Sequence, residues 1–198
     1  LRLHAEHRGG ANHGLWTWYD GEGRPARATE YRDNAMRAVT SWHPGTRIKQ
    51  AEGESTDGRR HGLWAFWDTE GRLQERCRYE ADRRYGPCTF WRPNGQKASE
   101  GDHARGLKHG VWTDYSEAGK PTSRGTWVAG KRDGPWLRWH PSGDKRTEGA
   151  YAADQRHGLW TDWFEGGALQ AKATYDSGSV HGSYVGWRVP GVKLAEGD

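Results

Sequence analysis

The sequence predicts an all-β protein, an elongated single-layer antiparallel meander of about eight β-hairpin repeats of 24 residues each. Three observations predict it. Gly62, Gly86, Gly110, Gly134, Gly158 and Gly182 stand 24 residues apart, and Gly14 lies 48 before Gly62. A second lattice, Gly53, Cys77, Gly101, Gly125, Gly149, Ala173 and Gly197, has the same step. Between the lattices run short aromatic-rich segments, with glycine and proline too frequent for any long helix.

The repeat argues for one domain over residues 1–198, because each unit needs only its neighbours. Hydrophobic content of 33% and a mean hydropathy of −1.12 lean toward disorder. Thirteen tryptophans at fixed positions contradict disorder and imply a thin core of rings and charged side-chain stems. The net charge of +4 permits an anionic partner such as nucleic acid or a membrane surface without requiring one, and both rank behind protein. No 18-residue apolar run exists to span a bilayer as a helix. The chain starts at Leu1 and its only methionine is Met36, the look of a processed or trimmed product, from which any targeting signal would have been removed.

The units are anchored near Gly14, Arg37, Gly62, Gly86, Gly110, Gly134, Gly158 and Gly182. Unit one carries His13-Gly14, Trp16 and Tyr19. Unit two is degenerate: Met36-Arg37 replaces His-Gly and Val39 takes the tryptophan position, yet Trp42-His43-Pro44-Gly45 keeps the turn. Unit three sets the pattern for the rest. Leu63-Trp64-Ala65-Phe66-Trp67 is a first strand, and Asp68-Thr69-Glu70-Gly71 a tight turn whose glycine tolerates positive φ. Arg72 to Tyr79 is the second strand, and Glu80 to Tyr85 a looser connection to Gly86. Sixteen such strands would span roughly 70–80 Å at about 4.8 Å each. A 48-residue superperiod overlies this pattern. His13, His61, His109 and His157 precede glycine in alternate units, which favour acidic turns, whereas the other units favour a basic group and proline.

These residues resemble the MORN repeat, in the variant found in bacterial antitoxin-like proteins. The shared pattern is Gly-x-Arg-His-Gly-x-Trp-x-x-Trp/Tyr-x-x-x-Gly, with Glu148-Gly149-Ala150-Tyr151 as its second strand. The resemblance runs from about Ala5 to Asp198 and implies a hairpin array used for protein or membrane contacts. Unit two and the abundance of tryptophan depart from the pattern.

Four constellations stand out. Lattice glycines face a tryptophan 11 residues later, as in Gly101 and Trp112, but in one place both members change together, to Cys77 and Cys88. Cross-strand register would bring the two within disulfide range, which implies an oxidising compartment: periplasm, cell surface or medium. The alternative is two unrelated buried thiols, which leaves a cytoplasmic location open. Arg60, Arg84, Lys108, Arg132 and Arg156 form a basic row along one rim, either solvated turn charge or a contact for an anionic partner. Trp42, Trp67, Trp91, Tyr115, Trp139, Trp163 and Trp187, with Tyr19, form an aromatic row suited to a protein partner or simply to packing. The recurring histidines, four strands or about 19 Å apart, cannot share a metal ion.

No phosphate loop, nucleophile elbow or paired carboxylates break the repeat, so neither enzyme activity nor a cofactor is expected. The expected function is a non-enzymatic scaffold for protein interaction outside the cytoplasm, with self-association through open sheet edges. Alternatives are an antitoxin-like or immunity protein that binds a cognate toxin, and a platform for glycans or anionic lipids.

Overall fold

The structure, a computed structural model, describes residues 2–197. All regular structure among them is β, and the chain divides into two compact halves, Leu1–Gln96 and Lys97–Asp198.

In the first half, β1 (Arg2–His4) lies antiparallel to β4 (Gly14–Tyr19), and β2 (His7–Arg8) with β3 (Ala11–Asn12) forms a small separate hairpin. From β4 the chain is an antiparallel meander: β5 (Pro25–Arg32), β6 (Ala35–Trp42), β7 (Lys49–Thr56), β8 (Arg59–Trp67), β9 (Leu73–Glu80) and β10 (Arg83–Trp91) each pair with the strand before. The second half repeats this in β11 (Lys97–Ala104), β12 (Leu107–Tyr115), β13 (Pro121–Val128), β14 (Lys131–Trp139) and β15 (Lys145–Ala152). It continues through β16 (Gln155–Trp163), β17 (Leu169–Asp176), β18 (Ser179–Val189) and β19 (Val192–Gly197).

The two connections of a repeat exchange the characters expected of them. The segment read as loose, Glu80 to Tyr85, is a two-residue hairpin at Ala81-Asp82, with φ of 46° and 67°. Positive φ at both central residues is the type I′ turn, whose twist matches the strands it joins. The segment read as tight is the longer loop. Asp68 N–H donates to the Arg72 carbonyl and Gly71 N–H to the Asp68 carbonyl, each at 3.0 Å. The first strand therefore begins at Arg59 rather than Leu63, and Gly62 lies inside it. There Gly53 pairs with Trp64 and Glu54 with His61, which leaves Gly62 and Leu63 unmatched in a bulge. Gly62 adopts φ +66°, open to glycine at little cost, and this requirement explains the first lattice.

The core is one residue thick. Trp64, Trp112, Trp136 and Trp160 are buried on one face of their sheets, each over a lattice glycine on the neighbouring strand. A Cβ at Gly149 would fall inside the Trp160 ring, so close approach, not φ, fixes this second lattice. The indole N–H of Trp64, Trp112 and Trp160 donates to the carbonyl ten residues earlier, at 2.7, 2.8 and 3.0 Å. Each ring is thus held by its face and by its polar edge.

Candidate functional site

Strand alternation gives each half two unlike faces. On the ring face, tryptophans, tyrosines and cations interleave. Arg60 stacks on Tyr79 at 4.5 Å and Arg84 on Phe90 at 5.3 Å. In the second half Lys108 lies over Trp112 and Trp127 at 4.1 and 4.8 Å, and Arg132 over Tyr151 at 4.1 Å. Arg156 covers Trp160 and Tyr175 at 4.4 and 5.1 Å. The structure thus places the whole basic row inside strands and half-buried, not on an outer rim. The rings hold these cations by cation–π attraction and cover their stems.

The type I′ turns that carry Asp82, Gly130, Asp154 and Gly178 also dock on the strand of the preceding repeat. Asp82 N–H donates to the Arg60 carbonyl at 3.1 Å, and Arg60 N–H to the Asp82 carboxylate at 3.0 Å. The Arg60 guanidinium adds an ion pair to Asp82 at 3.1 Å. Arg132 and Asp154 repeat all three contacts. Hydrogen bonds from the arginine hold the Asp82 and Asp154 carboxyls below the usual range. Where the turn has Gly130 or Gly178, only the backbone bond to Lys108 or Arg156 remains.

The cysteine pair sits on the same face. Cys77 and Cys88 are directly opposed in β9 and β10, bonded to each other, with Cα atoms 4.1 Å apart and both residues buried. A polar network lies beside the pair. Tyr79 donates to Glu75 at 2.6 Å, and Arg84 closes a fork on the same carboxylate at 2.9 and 2.6 Å. Burial pushes the Tyr79 phenol up to about 12, with help from the bond to Glu75. Burial also pushes the Glu75 carboxyl up, but the bonds from Arg84 and Tyr79 outweigh it and leave that carboxyl below its ordinary value.

The opposite face is open. In the first half a groove of about 650 Å³ runs across it, lined by Leu15, Ala38, Leu63, Ala65 and Trp67 with Glu30, Glu52 and Glu54. Leu15 and Leu63, 48 residues apart in the repeat, are 51% and 39% exposed. Val111 and Leu159 continue that step in the second half, at 46% and 57%. Leu15 and Leu63 line one groove with Trp67, and a contiguous exposed apolar patch of this kind marks an interaction site.

The aromatic row lies at the loop end of each first strand, where a second bulge re-aims the ring. Phe66 pairs with Glu75 but Trp67 with Leu73, and Gln74 is skipped. Trp42, Trp67, Trp91, Tyr115, Trp139, Trp163 and Trp187 are all half-buried, as is Tyr19. Trp67 lines the first-half groove, and Trp163 a shallower one with Leu159, Thr161 and Leu169. Lys49 and Lys145 cover these two rings at 5.9 Å, and Lys145 pairs with Glu148 at 3.0 Å. A matching lysine–glutamate pair recurs at Lys97–Glu100, which identifies the repeating glutamates as scaffold positions. Tyr115 donates to Glu100, and that bond, with burial second, raises its phenol to about 12.

His61, His109 and His157 are exposed, and among the described residues no three His, Cys, Asp or Glu side chains gather as a metal site. Sequence reasoning missed the exposed aliphatic row, although its signal was present: the residue after each bulge glycine alternates between Leu or Val and a smaller or ring-closed side chain.

A family model, the MORN repeat variant, matches residues 108–129 and 156–177. Each stretch runs from the basic-row residue to the turn, one hairpin of β12–β13 or β16–β17. Repeats of this type generally mediate protein or membrane interaction and are not catalytic. No curated protein matches the chain significantly.

Proposed function

We propose that the chain is a non-enzymatic scaffold, working outside the cytoplasm, whose open face takes a protein partner. The observation that carries this reading is the exposed Leu15 and Leu63 pair along a groove that also offers the Trp67 ring. Apolar side chains beside an aromatic anchor are the composition of an interaction hot spot. The ring face is the less suitable surface, since its cations are already committed to its own rings.

The bonded cysteines support the extracytoplasmic part, because cytosolic thiols are kept reduced. The runner-up, an intracellular antitoxin-like protein, requires these cysteines reduced in the cell. Alkylation before lysis, followed by mass spectrometry, separates the two: labelled Cys77 and Cys88 would defeat the extracytoplasmic reading.

The test of the binding face uses the full chain as bait in the native source, with Leu15→Glu/Leu63→Glu beside the wild type. A partner protein retained by the wild type and lost from the variant, at unchanged melting temperature, is the expected result. Equal capture by both would remove the open face from consideration.

A further inference from the structure

We propose that a depression between the loop joining β12 to β13 and the loop joining β14 to β15 binds a tetrahedral oxyanion, a phosphate or sulfate ester, carried on a ring that stacks on Trp139. The depression is about 600 Å³, and Lys120, Arg138, Arg146 and Trp139 line it. None of these three cations has a side-chain hydrogen bond or ion pair with any described residue. Glu117, the one acidic side chain of the lining, is already engaged.

The repeat supplies the control for each cation. Arg24 and Arg72 occupy the place of Lys120 in repeats one and three, and both are neutralised by their own loops. Asp20 and Asp68 bind them at 2.7 Å, and Glu22 and Glu70 complete the clamp. In repeat five these acids are Ser116 and Ala118, so the cation remains while its partners are gone. Arg138 stands where the other repeats have Trp18, Ser41, Phe66, Phe90, Asp114, Asp162 and Gly186. Arg146 is the skipped residue of the bulge, between the pairs Arg138–Thr147 and Trp139–Lys145. That position holds Ala26, Gln50, Gln74, Ala98, Thr122, Gln170 and Leu194 elsewhere. Three independent departures from the repeat therefore put unneutralised positive charge around one hollow.

The charge and the ring point to the ligand. Guanidinium groups take two oxygens of a tetrahedral anion at once, and an ammonium adds a point charge. Trp139, with Pro121 and Pro141 beside it, offers an apolar wall on which a sugar or base can lie. A bare inorganic anion would leave that wall unused. The site is independent of the groove in the first half, and its failure would not touch the reading of that groove.

Calorimetric titration of the full chain with adenosine 5′-monophosphate, a heparin-derived disaccharide and inorganic phosphate reads the site. Phosphatidylcholine vesicles with and without phosphatidylinositol phosphate form a separate arm. The expected result is binding of a ring-bearing ester about tenfold tighter than inorganic phosphate, the scale of one stacking contact. Trp139→Ala should abolish that preference. Arg138→Ala/Arg146→Ala should weaken the ester at least about tenfold, while Arg188→Ala, at the end of β18, leaves it unchanged. Since the two arginines hold nothing in the fold, the double variant should melt with the wild type. Binding seen only on the vesicles, and lost in the double variant, assigns the ester to a lipid headgroup. No binding in any arm, or binding that survives Arg138→Ala/Arg146→Ala, overturns the proposal.

Discussion

The pair Cys77–Cys88 and the pair Gly149–Trp160 occupy the same place in their hairpins but close it by different means. At Gly149 the missing side chain lets an indole lie flat on the neighbouring strand, and burial of the ring supplies the stabilisation. At Cys77 no indole lies over the strand; a covalent bond joins the strands, and the Glu75–Arg84–Tyr79 network lies beside it. The first solution depends on packing and the second on the redox state of the surroundings. One lattice therefore holds segments that respond to quite different insults.

The sharpest way to break this contrast is to remove a ring. Trp160→Ala should cost about 3–5 kcal/mol, as for other buried tryptophans, in a chemical-denaturation midpoint. The cost should be the same with and without reductant. Cys77→Ser/Cys88→Ser should cost about 2–3 kcal/mol, the chain-entropy value for a short loop, and the wild type in reductant should lose a similar amount. A third variant, Cys77→Gly/Cys88→Trp, rewrites one solution as the other. It should remain below the wild type by about 1–3 kcal/mol, because Arg84 is forked onto Glu75 and must give way before an indole can settle beneath it. Full recovery would mean that the two solutions are interchangeable modules.

Smaller effects sharpen the comparison further. Asp154→Gly copies the turns at Gly130 and Gly178, keeps the positive φ and deletes only the carboxylate. A small drop in melting temperature is expected, since the Arg132 N–H is exposed enough to bond water instead. In alkali the network near the disulfide has its own signature. The Tyr79 pKa is raised, so its neutral phenol stabilises the fold below the ordinary tyrosine range near pH 10, and that contribution disappears as pH climbs through about 12. Tyr79→Phe should remove the late part of the phenolate absorbance change, and Tyr115→Phe a second part of it.

The hairpin, its period and the ring-over-glycine pair were legible in the sequence because they rest on residue type at fixed spacing. The character of the two connections was not. Ala81-Asp82 lacks the Asn-Gly signal of a two-residue hairpin, and Asp82 enters left-handed space while bound to a strand 22 residues earlier. Gly62 reads as a turn residue, since a mid-strand bulge and a turn ask the same thing of a glycine. The basic row was found, but its half-buried place on the rings depends on which way a strand residue faces, and the bulge at Gly62 alters that count. The uncommitted cations around Trp139 could have been seen by comparing repeats, because the loss of two loop acids beside Lys120 is visible in the letters alone.

The cross-link between β9 and β10 has a mechanical corollary. A meander pulled from its ends peels one hairpin at a time, each strand yielding as its ladder of bonds parts. Under oxidising conditions the segment between the two sulfurs, 11 residues apart, cannot pay out. The fully stretched molecule should therefore be shorter by about 32–36 Å than the same chain after reduction, the extended length of that segment less the span of the bridge.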